Sequence, residues 1–326
     1  MNGTAAPRKV GPTWVRWRVV ALLMALSYVS WFLRVGMSVA YDERIKDHLG
    51  IRPEAMGTVY SAFLLAYMLC MTPGGWLIDR VGTRAALTLM GFGLVLFGAL
   101  TGLVGASPRL LDRLPAEVSL AGHVLATPLL LFLVIRSLMG VFATPMYPAA
   151  AHAVGHWIPF RRRGWANGLV QGSALLGIAS TPLVVGTLIA WFDWPQTFLV
   201  LAVGTGLLTI VWALYATDRP EQHPGANPAE RDLIAADHGA AAPAGARAGG
   251  WTRLLRNRSL VCLTAAYAAV GYFEYLFFFW MDYYFKDQLG LPDDVRRLYA
   301  GIPFLAMAAG MALGGHASDI FVRLYG

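Results

Sequence analysis

Long apolar runs alternate with short polar stretches along almost the whole chain. Each run is close to the roughly 20 apolar residues that a helix needs to cross the hydrocarbon core of a bilayer. We interpret every run as a helix, because backbone groups inside lipid must hydrogen-bond within their own segment. The pattern predicts an all-α polytopic membrane protein with spans at about 19–40, 56–78, 85–106, 124–150, 165–190, 197–216, 259–285 and 297–318.

One polar segment interrupts the spans and divides the chain. Residues 217–258 are rich in Pro, Gly, Ala and charged residues, a composition typical of a water-exposed linker. Six predicted helices precede this linker and two follow it. The pattern therefore predicts a polar N-terminal segment at 1–18, a six-helix transmembrane bundle at 19–216 and the first two helices of a second bundle at 259–326.

The distribution of charge predicts the orientation. Arginine-rich stretches at residues 8–18, 80–84, 161–163 and 253–258 alternate with loops of mixed or acidic charge. Loops rich in Lys and Arg stay in the cytoplasm. This bias predicts a multi-pass protein of the inner (plasma) membrane whose N-terminus and linker are cytoplasmic. Because topology accounts for the net charge of +7, that charge does not indicate nucleic-acid binding.

Composition and motifs exclude several classes of protein. Hydrophobic residues make up 57% of the chain and charged residues 14%, whereas an average soluble domain has about 25% charged residues. Cys70 and Cys262 both lie in apolar runs, and their spacing indicates neither a disulfide framework nor a metal site. The sequence has neither the Gly-x-Ser-x-Gly nor the zincin motif that an intramembrane enzyme would need. We therefore predict no enzyme activity, no metal and no cofactor.

A motif recurs at the ends of the second and the eighth predicted helix. Both copies read Gly-Gly-x-x-x-Asp and end at Asp79 and Asp319. A repeat over so long a distance is a feature of duplicated six-helix bundles. A helix-end carboxylate with arginines beside it can hold a neighbouring helix in one conformation and release it in another; the alternative is a plain loop. The repeat predicts a conformational gating loop made of Gly75, Asp79, Arg80, Gly82, Arg84 and Asp319.

Several stretches resemble the major facilitator superfamily, and especially its anion:cation symporter branch, which carries sugar acids and other organic anions. The family's signature loop between helices 2 and 3 is similar to "GGWLIDRVGTR", and helix 4 of the branch is similar to "RSLMGVFATPMYPAA". Its helix 5, central linker and helix 7 resemble "RRRGWANGLVQGSALLG", "RPEQHPGANPAERDLI" and "GYFEYLFFFWMDYYF". Complete members have twelve helices, so the resemblance implies a fragment or an unusual remnant that stops after the eighth.

Two arginines lie inside predicted spans, Arg34 in the first and Arg136 in the fourth. An ionised side chain at mid-membrane costs on the order of 3 kcal/mol on insertion scales, so such residues usually face a bundle interior or a water-filled cavity. Both fall near mid-depth, where two guanidinium groups can bind a carboxylate. The resemblance implies the same role, since the family has substrate-contacting arginines at both positions. The alternative for each is a structural arginine bonded to backbone carbonyls or extended to the membrane surface.

Four further residues are candidates for substrate contact. Tyr67 and Gln171 match polar cavity positions of the family, and their alternative role is ordinary hydrogen bonding between helices. Trp31 and Tyr284 are candidates for stacking on an apolar part of the substrate, and their alternative role is core or interfacial packing.

The acidic residues that serve proton coupling in the family are replaced in this chain. The resemblance places them at Leu33 and Ala143. Glu274 and Asp282, both in the seventh predicted span, are candidate substitutes, because burial raises the pKa of a carboxyl group and a nearby arginine lowers it. The alternatives are a structural ion pair for Glu274 and a solvated position for Asp282.

These features predict a monomeric secondary active transporter of small organic anions, such as sugar acids, that works by alternating access. Its predicted partners are the anion, a coupling proton or cation, and the lipid bilayer. The alternatives are a non-transporting truncated remnant and an anion-binding membrane receptor, both of which would bind an anion without translocating it.

Overall fold

The structure is a computed structural model that describes residues 11–106, 115, 117–120, 123–236 and 256–325. Most of these residues are helical. The α-helices are α1 (Val15–Ala40), α2 (Lys46–Leu49), α3 (Pro53–Ala106), α4 (Thr127–Ala143), α5 (Met146–Trp157), α6 (Arg163–Tyr215), α7 (Pro228–Ala236), α8 (Arg258–Tyr283) and α9 (Asp293–Tyr325).

Two of the helices are about twice as long as a membrane span and turn once along their length. α3 has 54 residues and is divided by non-helical backbone at Gly82, and α6 has 53 residues and is divided in the same way at Asp193. Each half is therefore long enough to form one of the predicted spans. The segments that are long and apolar enough to cross a membrane are Val15–Leu49, Pro53–Ala106, Thr127–Trp157, Phe160–Tyr215 and Gly301–Leu324.

One small sheet departs from the helical pattern. Strands β1 (Glu117–Leu120) and β2 (His123–Ala126) pair antiparallel, with Glu117 opposite Ala126. The helix of the fourth span begins at Thr127, a few residues after the approximate start predicted at 124, because Ala126 is extended and Pro128 occupies the first turn of α4, a position that suits proline. The prediction of an all-α polytopic fold is otherwise confirmed by the helices.

Glycines let the helices of the first bundle approach one another closely. A Cβ atom on Gly140 of α4 would lie 2.5 Å from the carbonyl oxygen of Phe63 on α3. A Cβ atom on Gly177 of α6 would lie 2.5 Å from the carbonyl oxygen of Tyr28 on α1. Small residues serve this purpose wherever membrane helices pack backbone to backbone. These contacts set how closely α3 approaches α4 and how closely α1 approaches α6.

The chain forms two compact units, residues 1–237 with 305–326 and residues 238–304. Within the first unit, the later part of α9 runs along the beginning of α6. Three glycines of α6, four residues apart, let its backbone approach the backbone of α9 closely. We call this contact the glycine seam; it pairs Gly164 with Gly315, Gly168 with Met311 and Gly172 with Ala308.

The turn at Gly82 connects α3 to the segment that follows α6. Gly82 has φ 83° and ψ 169°, a conformation that is essentially restricted to glycine. The carboxylate of Asp218 accepts hydrogen bonds from the hydroxyl of Thr83 and the backbone N–H of Arg84, each at 2.8 Å. A Cβ atom on Gly82 would lie 2.6 Å from an oxygen of that carboxylate. Both the backbone angles and the neighbouring carboxylate therefore require glycine here.

We expect Gly82→Ala to destabilise the protein by about 1–3 kcal/mol, the usual cost of a strained backbone conformation, with a further loss from the displaced Asp218. Thermal unfolding of the purified protein in detergent measures this change. Gly57→Ala is the matched control, because Gly57 lies in the same helix and a Cβ atom there meets nothing within 4 Å. An unfolding temperature for Gly82→Ala equal to that of Gly57→Ala would contradict the expectation.

Candidate functional site

The guanidinium of Arg34 lies in a cage of aromatic rings. Its Cζ atom is 4.1 Å from the ring centroid of Trp31, 5.1 Å from that of Tyr67 and 5.4 Å from that of Phe63. All three distances are within the roughly 6 Å range of a cation–π contact. The Nε and Nη1 atoms of Arg34 are buried, and neither has a hydrogen-bond partner in the described part of the chain. We call this arrangement the Arg34 cage.

Helical spacing and one hydrogen bond build the cage. Trp31 and Arg34 are three residues apart on α1, and Phe63 and Tyr67 are four residues apart on α3, so each pair shares one face of its helix. The Phe63 and Tyr67 rings stack at 6.2 Å with an angle of 10° between their planes. The indole N–H of Trp31 donates to the hydroxyl of Tyr147 at 2.9 Å. Three helices thus fix the position of the cage.

Arg136 belongs to α4, and its guanidinium reaches the backbone of α1 beside Arg34. Its side chain is only 2% exposed. Its Nη1 atom donates to the backbone carbonyl of Leu33 at 2.7 Å and, at 3.4 Å, to that of Arg34. Arg136 is thus bonded to the backbone of α1 through one nitrogen, while its buried Nε and Nη2 atoms have no hydrogen-bond partner among the described residues. Its contact with a substrate stays a prediction.

The other predicted site residues are distributed more widely. Gln171 is half-buried on α6, and Tyr284 is 52% exposed in the second unit. Glu274 and Asp282 belong to α8, but their side chains lie outside the part of the chain that the structure describes. Of the predicted substrate contacts, the structure brings together Arg34, Trp31 and Tyr67.

The two positions where the family has carboxylates are apolar and enclosed. Leu33 is 0% exposed and Ala143 is 1% exposed. Leu33 packs against Gly98 of α3, where a Cβ atom would lie 2.8 Å from a Leu33 methyl carbon. Burial of these positions in apolar packing leaves no room for a solvated carboxylate in this arrangement.

The first copy of the repeated motif is only partly engaged. Asp79 and Arg80 are exposed, and the Arg80 guanidinium stacks on Trp76 at 3.7 Å. Arg84 instead donates from Nε and Nη2 to the carbonyl of Ala213 at 2.9 and 2.7 Å. Arg84 therefore joins the second half of α3 to the end of α6, and Gly75 has open space around it.

The second copy is fully engaged. Asp319 is only 4% exposed, and its carboxylate accepts hydrogen bonds from the backbone N–H groups of Gly164 at 2.9 Å and Trp165 at 2.8 Å. Both N–H groups belong to the first turn of α6, where they have no partner within the helix. Asp319 therefore closes one end of the glycine seam, where the rings of Trp165 and His316 also meet at 5.3 Å.

Sequence reasoning missed two members of the cage, Phe63 and Tyr147. A usable signal existed for Phe63, because it precedes Tyr67 by four residues and therefore shares its helix face. No local pattern connects Tyr147 to Trp31, since 116 residues separate them.

We expect Asp319→Ala to destabilise the protein by about 1 kcal/mol, because two N–H groups at a helix start lose a charged acceptor. Asp79→Ala, at the equivalent place in the first copy, provides the matched control and should change stability by less than about 0.5 kcal/mol, as exposed sites do. Thermal unfolding in detergent compares the two. Equal effects of both substitutions would show that the engagement of Asp319 does not stabilise the fold.

Comparison with known proteins defines the family. The model of the Major Facilitator Superfamily matches residues 20–325. The chain is 28% identical to the probable galactarate/D-glucarate transporter GudP of Bacillus subtilis, over 95% of this chain and 66% of that protein. It is also 28% identical to the probable sulfoacetate transporter SauU of Cupriavidus necator, over 95% of this chain and 66% of that protein.

A third relative, the probable L-galactonate transporter of Escherichia coli, is 26% identical over 93% of this chain and 61% of its own length. The chain thus spans slightly less than two thirds of the length of these relatives. The solved structure of the proton:xylose symporter XylE superposes with a TM-score of 0.45 at 13% identity, over 63% of this chain and 46% of that one. Because the family model matches almost the whole sequence, this multi-pass membrane protein belongs to the Major Facilitator Superfamily.

Proposed function

We propose that this chain serves in secondary active transport of small organic anions and that Arg34 is the anion ligand. The observation that carries the proposal is that the buried Nε and Nη1 atoms of Arg34 have no hydrogen-bond partner among the described residues. A buried polar group without a hydrogen-bond partner is costly, and a buried charge more so. An anion that reached this site would supply both the countercharge and the missing acceptors. Removal of the cost of the unpaired Arg34 nitrogens therefore adds to the binding free energy of the anion.

The residues that line the cage favour a substrate with a compact anionic group. The rings of Trp31, Phe63 and Tyr67 hold the guanidinium in place without neutralising it. The indole N–H of Trp31 is already bonded to Tyr147, so it is not free to bind substrate. Within the Arg34 cage, the donors proposed to bind the anion are therefore the Arg34 guanidinium and the Tyr67 hydroxyl. Carboxylates and sulfonates both suit a planar guanidinium donor.

The names of the relatives agree with this chemistry. They describe probable transporters of galactarate and D-glucarate, of sulfoacetate and of L-galactonate. All of these compounds are small organic acids that are ionised at neutral pH. The shared substrate class supports an organic anion as the substrate of this chain, with sugar acids and short sulfonates as the first compounds to test.

Transport by this family architecture proceeds by alternating access around a site near the membrane midplane. We place the N-terminus and the segment after α6 in the cytoplasm of a plasma-membrane protein, because the arginine-rich loops lie on that side. Asp319 and the glycine seam then lie at the cytoplasmic end. Release of Asp319 from the start of α6 is the step that would open that end, and Asp79 provides the equivalent group of the first repeat.

Arg34→Met tests the anion site. We expect the apparent Kd for D-glucarate, or for sulfoacetate, to rise at least about thirtyfold, because removing one partner of a buried charge pair costs about 2 kcal/mol or more. The unliganded protein should be as stable as the wild type or more so, since an uncompensated buried cation is removed. Ligand-induced shifts in thermal unfolding measure both quantities.

Arg44→Met is the control for Arg34→Met, because Arg44 is an exposed arginine beyond the end of α1. It should leave the ligand-induced shift unchanged. Wild-type affinity in Arg34→Met would contradict the proposed site.

Glu274→Gln tests proton coupling. If Glu274 carries the coupling proton, its amide replacement should abolish pH-driven uptake into proteoliposomes while leaving counterflow exchange intact, because exchange needs no net proton movement. Asp282→Asn examines the second candidate in the same way. Glu54→Gln, at an exposed position of α3, serves as the control. Unchanged pH dependence in Glu274→Gln would remove that residue from the coupling mechanism.

A further inference from the structure

A buried glutamate after α6 holds the beginning of α1. The side chain of Glu230, on α7, is 0% exposed. Its carboxylate accepts hydrogen bonds from the backbone N–H of Arg16 at 3.1 Å and from that of Val15 at 3.4 Å, and it is also hydrogen-bonded to the hydroxyl of Thr13. It pairs with the guanidinium of Arg16 at 2.9 Å. Glu230 thus supplies acceptors to the first turn of the helix that carries Arg34.

Asn227, three residues before Glu230, adds further hydrogen bonds between this segment and the residues before α1. Its side-chain amide donates to the carbonyl of Gly11 at 2.7 Å and accepts from the backbone N–H of Thr13 at 3.3 Å. Its backbone N–H donates to the Thr13 hydroxyl at 3.3 Å. The same side-chain oxygen accepts from the N–H of Glu230 at 2.9 Å, which fixes the start of α7. Residues 11–16 and 227–230 are therefore linked by a continuous set of hydrogen bonds.

A second helix start is held by the same stretch of chain. Asp218 accepts from Thr83 and from the N–H of Arg84, at the beginning of the second half of α3. Between these two contacts, the buried ring of His223 packs edge-on against Trp157 of α5 and Tyr215 of α6. The segment 218–236 therefore contacts the ends of four helices of the first bundle. We call this segment the brace.

The chemistry of these contacts favours a fixed arrangement. The first N–H groups of a helix have no partner within the helix, and the helix dipole favours an anion beside them. Breaking a buried ion pair by removing one partner is strongly unfavourable, because the other charge stays buried. Separation of Glu230 from α1 would leave both the N–H groups and the Arg16 guanidinium without their acceptor.

We propose that the brace moves with the first bundle as one body during transport, and that Glu230 is the positioning residue that keeps it there. α1, with Arg34, then keeps a fixed base. The inference about transport rests on the function proposed above. In contrast, the start of α6 depends on Asp319 from α9, so that contact is the one that opens and closes.

A pair of engineered disulfides tests the proposal in a background of Cys70→Ala and Cys262→Ala. Thr13→Cys with Asn227→Cys links the brace to the start of α1. Trp165→Cys with His316→Cys links the two sides of the glycine seam. We expect oxidation of the first pair to leave D-glucarate uptake into proteoliposomes within twofold of the reduced protein. Oxidation of the second pair should lower uptake at least tenfold.

Two results of the disulfide experiment separate the two proposals. Inhibition of uptake by the first disulfide would show that the brace must leave α1 and would overturn the inference. Full uptake with the second disulfide would contradict the proposed opening at Asp319, whereas no uptake by any form of the protein would contradict the proposed function. In either case, hydrogen exchange decides the role of the brace.

Hydrogen exchange examines the brace independently of transport. In Glu230→Gln, the amides of residues 229–236 should exchange at least tenfold faster than in the wild type. Glu221→Gln, an exposed glutamate of the same segment, is the matched control and should not change the rates. Equal exchange in the two variants would overturn the positioning role of Glu230.

A rescue distinguishes positioning from general destabilisation. We expect Glu230→Gln to lower the maximal rate of D-glucarate uptake at least threefold with an unchanged KM, because the Arg34 cage lies far along α1 from the brace. Oxidation of the Thr13→Cys and Asn227→Cys pair in this variant should restore the rate, since the disulfide replaces the lost contact. Failure of the disulfide to restore it would show that Glu230 acts in some other way.

Discussion

The N–H groups at the start of a helix need an acceptor from elsewhere, and this requirement organises one whole end of the molecule. Three helix starts there are served by carboxylates from distant parts of the chain. Glu230 serves α1, Asp218 serves the second half of α3, and Asp319 serves α6. The helix that carries Arg34 is therefore positioned at its base by a residue more than 200 positions away in the sequence.

The apolar runs predicted the helical fold well, because a lipid-embedded helix leaves a long and simple signal. They located the ends of helices only approximately: at residues 124–126 an apolar stretch forms a strand of a small hairpin, and the helix begins at Thr127. The roles of Asp218 and Glu230 were also not predictable from sequence. Charged residues in a polar, Pro-rich segment look solvated, and nothing local indicates that a carboxylate there meets the start of a helix more than 100 residues away in the sequence.

The two intramembrane arginines show where sequence reasoning about a site ends. Arg34 and Arg136 carry the same group at a similar predicted depth, so their pattern gave them the same role. Their neighbours differ: aromatic rings surround Arg34, whereas the Nη1 atom of Arg136 donates to backbone carbonyls of α1. Each guanidinium also keeps two buried nitrogens that have no hydrogen-bond partner among the described residues. Which partner a buried guanidinium meets depends on the packing of several helices, and a single sequence does not contain that information.

The glycine seam has a mechanical consequence. Helices whose side chains interlock as ridges and grooves must unlock before they shift. The strip of Gly164, Gly168 and Gly172 presents backbone rather than side chains of α6 to α9. Such a surface permits the small sliding displacements of a shear motion at little steric cost. Resistance to sliding is then concentrated at one end of the seam, at the carboxylate of Asp319 and the ring contact of Trp165 with His316, rather than spread over the length of the two helices.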